Sequence, residues 1–185
     1  MHVQRLDSSD IGFADAFDAL VNGRRESDAD VTSAVAQTIK DVRAHGDVTL
    51  AEMTQRFDGF DLNNVGWQID AAQCKAAYDA LQPDLRDALT LAAKRIEAYH
   101  AAQLPEDRDY RDAAGARLGA RWNAVDAAGL YVPGGRAAYP SSLLMNAIPA
   151  RVAGVERLVV VTPTPKGQTN ALVLAAAHIA GVDEI

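Results

Sequence analysis

The sequence has little of what a disulfide-stabilised, membrane-spanning or nucleic-acid-binding protein needs. A single cysteine, Cys74, among 185 residues excludes an internal disulfide and a cysteine-based zinc site. Lysine and arginine number 18 against 25 acidic residues, and the net charge of −7 argues against a nucleic-acid or anionic-membrane partner. No apolar run approaches the roughly 20 residues that span a bilayer. The N-terminal residues lack the basic and apolar regions of a signal peptide, so we expect a cytoplasmic protein.

Histidine is also scarce and scattered. The 4 histidines do not form a pair with metal-ligand spacing such as H-x-x-x-H. They are His2, His45, His100 and His178. Together with the single cysteine, this distribution predicts no metal site in the chain. Hydrophobic residues nevertheless make up 49% of the sequence, which is enough to form a core.

Apolar spacing predicts that the first part of the chain is mainly helical. One helix is expected from Asp30 to Gly46, because Val31, Val35, Ile39 and Val42 recur at helical steps. A second is expected from Asp47 to Gly59, with Leu50, Met53 and Phe57 on its inner face. The stretch "GWQID" is typical of a short strand. Cys74 is expected on a helix as a small core residue.

A further helix is predicted to begin at Pro83, which suits the first turn, and to continue to about Gln103. The polar stretch "LPEDRDYRDAAG" indicates a loop, and residues 116–132 indicate short strands. Among them, "GLYV" is expected to be buried.

The second half predicts strand, helix, strand, helix. After "GLYV" comes a helix with Leu144, Ile148 and Val152 inward and a kink or new turn at Pro149. "RLVVV" is expected to be a strand buried on both faces. The last helix should begin after Thr169 or Asn170 and end at Gly181, and "VDEI" indicates the start of another strand.

This order predicts an α/β protein with a parallel sheet and right-handed crossovers. Residues 1–108 are expected to form a mainly helical region. Residues 109–185 are expected to form an incomplete Rossmann-like parallel β-α-β unit. Because two full strands make a poor domain, we expect the chain to be truncated within a repeating unit.

The loops "PGGRAAYPSS" and "TPTPKGQTN" follow the two strands, at the end of the sheet where ligands collect. Gly134 and Gly135 permit close approach of a ligand to the backbone. Ser141 and Ser142 begin the next helix, where free N–H groups favour anions, and Tyr131 offers a flat face and a hydroxyl. The combination suits a nucleotide or another phosphate-bearing ligand. A plain turn followed by helix-capping serines explains the same residues, and both interpretations stay open at this point.

The stretch "GLYVPGGRAAYPSSLLMNAIPARVAGV" resembles the signature of the histidinol dehydrogenase family. The resemblance extends to "HGDVTLAEMTQRFDGF", to "ALTLAAKRIEAYHAAQ" and to "VVVTPTPKGQTNALVLAAAHIAGVDEI", and so covers nearly the whole chain in order. It implies oxidation of L-histidinol to L-histidine with two NAD⁺, a zinc ion that holds the substrate, and a homodimer of intertwined subunits.

The resemblance also implies which functional residues the chain contains. The family tyrosine that contacts NAD corresponds to Tyr131, Pro133 follows it, and Pro163 lines the adenosine end. The zinc ligands and the catalytic Glu-His pair of the family would lie beyond Ile185. We therefore expect an N-terminal portion of the enzyme that is inactive alone. The alternative is a stand-alone binding or scaffold module that keeps the nucleotide-binding half.

Overall fold

A computed structural model describes residues 5–133 and 139–185, without the side chains of residues 23–29 and Val65. Contacts divide the chain into two compact units, Met1–Met53 and Thr54–Ile185. Each unit is described by itself. The predicted boundary at residue 108, which separates mainly helical from sheet-containing sequence, stays a prediction.

The first unit is dominated by α1, Phe13–His45, a helix of 33 residues. It begins 17 residues before the predicted start at Asp30, so that expectation is wrong. The rings of Phe13 and Phe17, four positions apart, stack 5.6 Å from each other in the first turns. The helix ends as predicted at Gly46, which has a φ of +60° and donates its N–H to the carbonyl of Val42.

Helix α2, Asp47–Asp58, follows at once and spans the junction of the two units. Its predicted bounds are confirmed, and Gly59 has a φ of +64° just past its end. The prediction that Phe57 faces inward is wrong, since 70% of its surface is exposed. Apolar spacing identifies a helix face but does not determine whether another element covers it.

Three helices follow in the second unit: α3, Leu62–Val65; α4, Ala71–Asp79; and α5, Pro83–Ala101. The predicted "GWQID" strand is wrong. Its last residue, Asp70, is instead the N-cap of α4 in a capping box with Gln73. Ile69 keeps one backbone hydrogen bond, donated to the carbonyl of Ile185 at 2.8 Å. The start of α5 at Pro83 is confirmed.

An antiparallel hairpin follows, formed by β1, Arg108–Arg111, and β2, Arg117–Ala120. The expectation of a loop is wrong for β1, whose composition is too polar to indicate a strand. Arg117 donates to Asp109 across the hairpin at 2.9 Å. That hydrogen bond lowers the pKa of Asp109. Pairing of opposite charges across the two strands therefore stabilises the hairpin. The composition of one strand alone does not reveal such pairing.

The predicted β-α-β unit is confirmed and parallel. Strand β3, Ala127–Tyr131, pairs in register with β4, Arg157–Val161, and α6, Pro140–Val152, connects them. The expected start of another strand is also confirmed, as a parallel bridge between Val159 and Glu184. A short 3₁₀ turn, Pro165–Gly167, and α7, Ala171–Ala180, lie between β4 and that bridge.

The core of the second unit forms where α4, α5, α6 and α7 pack together and α6 packs against β3 of the β3–β4 sheet. Its side chains are apolar and at most 8% exposed. They include Cys74, Val132, Leu143, Leu144, Ala147, Ile148, Leu158, Val160, Val173, Ala176 and Ala177. The predicted core role of Cys74 is confirmed, and burial raises the pKa of its thiol.

Strand β4 is covered on only one face among the described residues, so the expectation of burial on both faces is wrong. Leu158 and Val160 are 0% and 1% exposed, whereas Val161 is 59% exposed. Alternate residues of a strand point to opposite faces. The helices therefore bury one face of the sheet, and the face of Val161 stays open.

Helix α6 continues through Pro149, which lies in its last turn, so the predicted start of a new turn is wrong and the predicted kink stays a prediction. Arg151 then joins the ends of both crossover helices. Its guanidinium donates to the carbonyls of Val155 and Glu156, to the carbonyl of Gly181 and to the carboxylate of Asp183. Gly181 ends α7 as predicted, in the left-handed conformation.

Candidate functional site

The carboxyl ends of β3 and β4 form one edge of the sheet, which we call the carboxyl edge and define as residues 131–133 and 161–167. Tyr131 ends β3 beside Val161, the last residue of β4. The next residue, Val132, is fully buried and donates its N–H to the carbonyl of Val161 at 3.0 Å. This anchor holds the strand end while 63% of Tyr131 remains exposed, so the expectation that "GLYV" is buried holds for Val132 and is wrong for Tyr131. An aromatic face is thus available to a ligand at the edge.

Pro133 and Pro163 stand two residues beyond the paired ends of the strands, and both are half-buried. Since proline has no N–H to donate, the ladder stops at this point and the chain can turn away. The structure therefore brings Tyr131, Pro133 and Pro163 to the same edge. Gly134 and Gly135, the other two predicted residues, lie outside the described part of the chain.

Helix α6 begins next to this edge without a side-chain cap. Its N-cap residue, Tyr139, makes no capping hydrogen bond, and Pro140 occupies the first turn. Ser141 and Ser142 lie inside that turn, so the interpretation of these serines as caps is wrong. By contrast, Asn170 caps α7 by accepting from the N–H of Leu172 at 3.0 Å. Since no described side chain caps them, the donors in the first turn of α6 could bind an anion.

The loop after β4 packs against Phe60, a residue that no predicted site included. Gly167 has a φ of +72°, and a Cβ added there would lie 2.6 Å from Cε2 of Phe60. Lys166, the neighbouring residue, has a φ of +56°, which is unusual for a residue with a side chain. No local sequence signal marked this contact, because an apolar residue directly after a helix-ending glycine ordinarily packs back on its own helix. No sequence signal marked the conformation of Lys166.

Metal-ligating groups do not converge in the part of the chain that the structure describes. No cluster of three or more histidine, cysteine, aspartate or glutamate residues there could hold a metal ion. The ring of His178 instead makes a tilted contact with the ring of Tyr78, with their centroids 5.2 Å apart. The described residues thus do not fit the zinc site that the family resemblance implies.

A cavity of about 250 Å³ lies among α5, α6 and α7. Its lining includes Glu97, Ile148, Arg151 and Ile179 and contains none of the carboxyl-edge residues. Arg151 is already bonded to four backbone or side-chain partners, and the other lining residues combine apolar side chains with the carboxylate of Glu97.

The architecture defines a class: an α/β protein whose parallel sheet has a candidate ligand-binding edge at the carboxyl ends of its strands. Over residues 21–185 the sequence matches the family model described as histidinol dehydrogenase. The chain belongs to the histidinol dehydrogenase family.

Individual relatives agree with this membership. The chain is 58% identical over 181 residues to a histidinol dehydrogenase of Zymomonas mobilis and 55% identical to one of Rhodospirillum rubrum. Each match covers 98% of this chain and 42% of the relative, so the chain spans less than half the length of these proteins. A crystal structure of histidinol dehydrogenase from Elizabethkingia anophelis superimposes with a TM-score of 0.76 at 27% identity, covering 83% of this chain and 35% of that chain.

Within residues 5–133 and 139–185, no helix combines the length and apolar character needed to cross a bilayer.

Proposed function

We propose that this chain is the N-terminal part of an L-histidinol dehydrogenase and that its carboxyl edge forms one wall of the NAD site. The observation that carries the proposal is the family match over residues 21–185. The complete polypeptide would oxidise L-histidinol to L-histidine with two NAD⁺, as a zinc-requiring homodimer in the cytoplasm, the last step of histidine biosynthesis.

The exposed ring of Tyr131 is the central element of this wall. It lies at the end of a strand whose next residue is fully buried, so its backbone is held in place. A rigidly held aromatic ring can contact a flat ligand at low entropic cost, and its hydroxyl can donate one hydrogen bond. Pro133 and Pro163 would supply rigid apolar contacts on either side.

The start of α6 and the glycine turn before it would serve the phosphates of the cofactor. Donors without a side-chain cap favour an anion at a helix N-terminus. Gly134 and Gly135 would allow the backbone to approach the ligand closely. We further propose that residues 109–185 act as the cofactor-side domain and residues 1–108 as a helical region.

NAD⁺, when bound, would accept a hydride from the substrate. The described residues would bind and orient it and would exclude water from one side of it. The described residues supply no zinc donor set, so we assign holding histidinol and removing its proton to residues beyond Ile185. The chain by itself would then provide cofactor binding without the chemistry.

The test uses a full-length chimera in which residues 1–185 are followed by the remainder of the Zymomonas mobilis relative. Tyr131→Ala should raise the KM for NAD⁺ by roughly ten- to a hundredfold, because an aromatic contact and one hydrogen bond are lost. The KM for histidinol should change little.

Tyr99→Ala is the matched control, since Tyr99 on α5 is 65% exposed, almost the same as Tyr131. It should leave both KM values unchanged. If Tyr131→Ala lowers the melting temperature and leaves the KM for NAD⁺ at the value of the parent chimera, Tyr131 has only a packing role and the proposed cofactor wall is wrong.

A further inference from the structure

Lys166 is the one charged residue within the carboxyl edge, residues 131–133 and 161–167. Its side chain is exposed, and it makes no ion pair or side-chain hydrogen bond with any residue that the structure describes. By contrast, Lys75 on α4 pairs with Asp79. The carboxyl edge therefore carries a positive charge that no described side chain neutralises, in a chain whose net charge is −7.

The backbone of Lys166 has an unfavourable conformation. Its φ of +56° and ψ of +28° lie in the left-handed region, and within the described part of the chain it is the one residue other than glycine with a positive φ. With Gly167, it forms the centre of a turn in which the N–H of Gln168 donates to the carbonyl of Pro165 at 3.2 Å. Asparagine, aspartate or glycine is favoured at the first central position of such a turn. A lysine there stores backbone strain that those residues would avoid.

Packing and strand pairing determine where this turn lies. The space beside Gly167 is filled by the ring of Phe60, since an added Cβ would lie 2.6 Å from its Cε2 atom. Strand β4 ends at Val161, shortly before the turn, and Val161 pairs with Tyr131. The backbone of Lys166 is therefore held at the same end of the sheet as Tyr131. Its long, flexible side chain remains able to reach a ligand at that end.

We propose that the ammonium group of Lys166 binds the pyrophosphate of NAD⁺ at the carboxyl edge, an inference that rests on the proposed function. The pyrophosphate carries the negative charge of this cofactor, whereas the oxidised nicotinamide ring is cationic and would be repelled. Strained backbone conformations persist where the surrounding structure holds them, and they are concentrated at ligand-binding sites. A solvated surface lysine would account for the charge of Lys166 but not for its strained backbone.

Equilibrium binding to the full-length chimera tests this contact without turnover. NADH is titrated by its fluorescence, and ADP and adenosine are then used as competitors. Lys166→Asn should raise the Kd of NADH and of ADP by about five- to thirtyfold, because one hydrogen bond from a charged donor to phosphate is lost. The Kd of adenosine, which has no phosphate, should not change. Lys166→Arg keeps the charge and should bind ADP within about threefold of the parent.

Stability and salt dependence, measured on the same variants, distinguish a phosphate contact from a purely structural role. Lys166→Asn and Lys166→Gly should melt at or above the temperature of the parent, since both residues accept a positive φ more readily than lysine does. The difference in Kd between the parent and Lys166→Asn should shrink as the ionic strength rises from about 0.05 M to about 0.5 M, because salt screens exposed charges. A higher melting temperature with an unchanged Kd would assign Lys166 a structural role only and overturn the proposal.

Lys94→Asn is the matched control, since Lys94 is an exposed lysine on α5, outside the carboxyl edge, and should leave every Kd at the value of the parent. If Lys166→Asn binds NADH as the parent does while Tyr131→Ala binds it more weakly, the role of Lys166 is wrong and the cofactor wall stands. If neither substitution changes the Kd of NADH, the proposed NAD site is wrong and the role of Lys166 with it. An equal loss of affinity for ADP and adenosine would show a disturbed site without a phosphate contact, which also overturns the proposal.

Discussion

At the residue scale, Gly167 occupies a position that excludes a side chain for two independent reasons. Its φ of +72° lies in the left-handed region, and the space beside it is filled by the ring of Phe60. The contact between Gly167 and Phe60 therefore packs the carboxyl-edge loop against the segment that follows α2. Because Phe60 is half-buried and adjoins the helix-ending Gly59, it has little freedom to move away.

Gly167→Ala should destabilise the chain by about 1–3 kcal/mol, through backbone strain and the clash with Phe60. Urea unfolding followed by circular dichroism measures this directly. Gly129→Ala is the control, since a Cβ at Gly129 meets nothing within 4 Å and its φ is ordinary. A Gly167→Ala variant as stable as Gly129→Ala would show that the loop and Phe60 move apart at no cost.

Asp183 is held at the start of the final strand by two donors. The N–H of Leu158 donates to its Oδ2 at 2.7 Å, and the guanidinium of Arg151 does so at the same distance. The backbone hydrogen bond is the larger cause that lowers the pKa of Asp183 below its ordinary value of 3.8, and Arg151 adds to it. The unfolded chain therefore binds a proton here at a higher pH than the folded chain does.

The resulting stability is present above the unfolded pKa and is lost as the pH falls through the folded pKa. Asp183→Asn should thus lower the free energy of unfolding at neutral pH, and the difference from the parent should shrink as the pH falls below about 4. Urea midpoints measured between pH 2.5 and pH 7 test the sign. Asp87→Asn on the exposed side of α5 is the control. A difference that grows on acidification would contradict the assigned role of Asp183.

At the scale of elements, the two crossover helices differ in how they begin. Asn170 caps α7, whereas α6 starts after Tyr139 without a side-chain cap. Both helices are long enough to gain from a cap, and both bury apolar residues against the sheet. A helix start without a cap next to the carboxyl edge is consistent with a ligand-binding role, because a cap would compete with an anion for the same donors.

Asn170→Ala should cost about 1 kcal/mol of stability, since the N–H of Leu172 loses its acceptor at a helix start. Ser141→Ala in the first turn of α6 is the matched control and should change stability by less than about 0.5 kcal/mol. Thermal melts of both variants compare them. Equal losses would mean that Ser141 also satisfies a backbone donor.

At the scale of the whole molecule, the second unit has a well-packed helical side and an open sheet side. Leu158 and Val160 are buried on the helical side. Tyr131 and Val161, which pair at the ends of β3 and β4, are exposed. Parallel sheets are ordinarily covered on both faces. The face that carries Val161 is thus left uncovered by the described residues.

The 185-residue chain should not oxidise L-histidinol, because the described residues provide no zinc donor set and hydride transfer requires a held alcohol and a base. Absorbance at 340 nm with L-histidinol, NAD⁺ and zinc is the measurement, and the full-length chimera is the positive control. Steady NADH production by the repurified chain would contradict the assignment of chemistry to residues beyond Ile185.

Local sequence determined the elements whose signals are local. Pro83 at a first turn, Gly46 and Gly181 at helix ends, and the parallel order of "GLYV" and "RLVVV" were all predicted and found. The family signature also identified the candidate site, because Tyr131, Pro133 and Pro163 need only the strand order to reach one edge. In each case the determining residues lie within a few positions of the feature.

Tertiary structure alone decided which apolar faces are covered and which distant segments meet. Val161 and Phe57 have the composition of core residues but are exposed, because burial depends on a partner element that no short stretch encodes. The contact of Phe60 with Gly167 joins two segments that are far apart in the sequence and meet only through chain packing. Sequence sets local conformation through backbone sterics and hydrogen bonding, whereas burial is set by the whole set of elements that compete for the same surface.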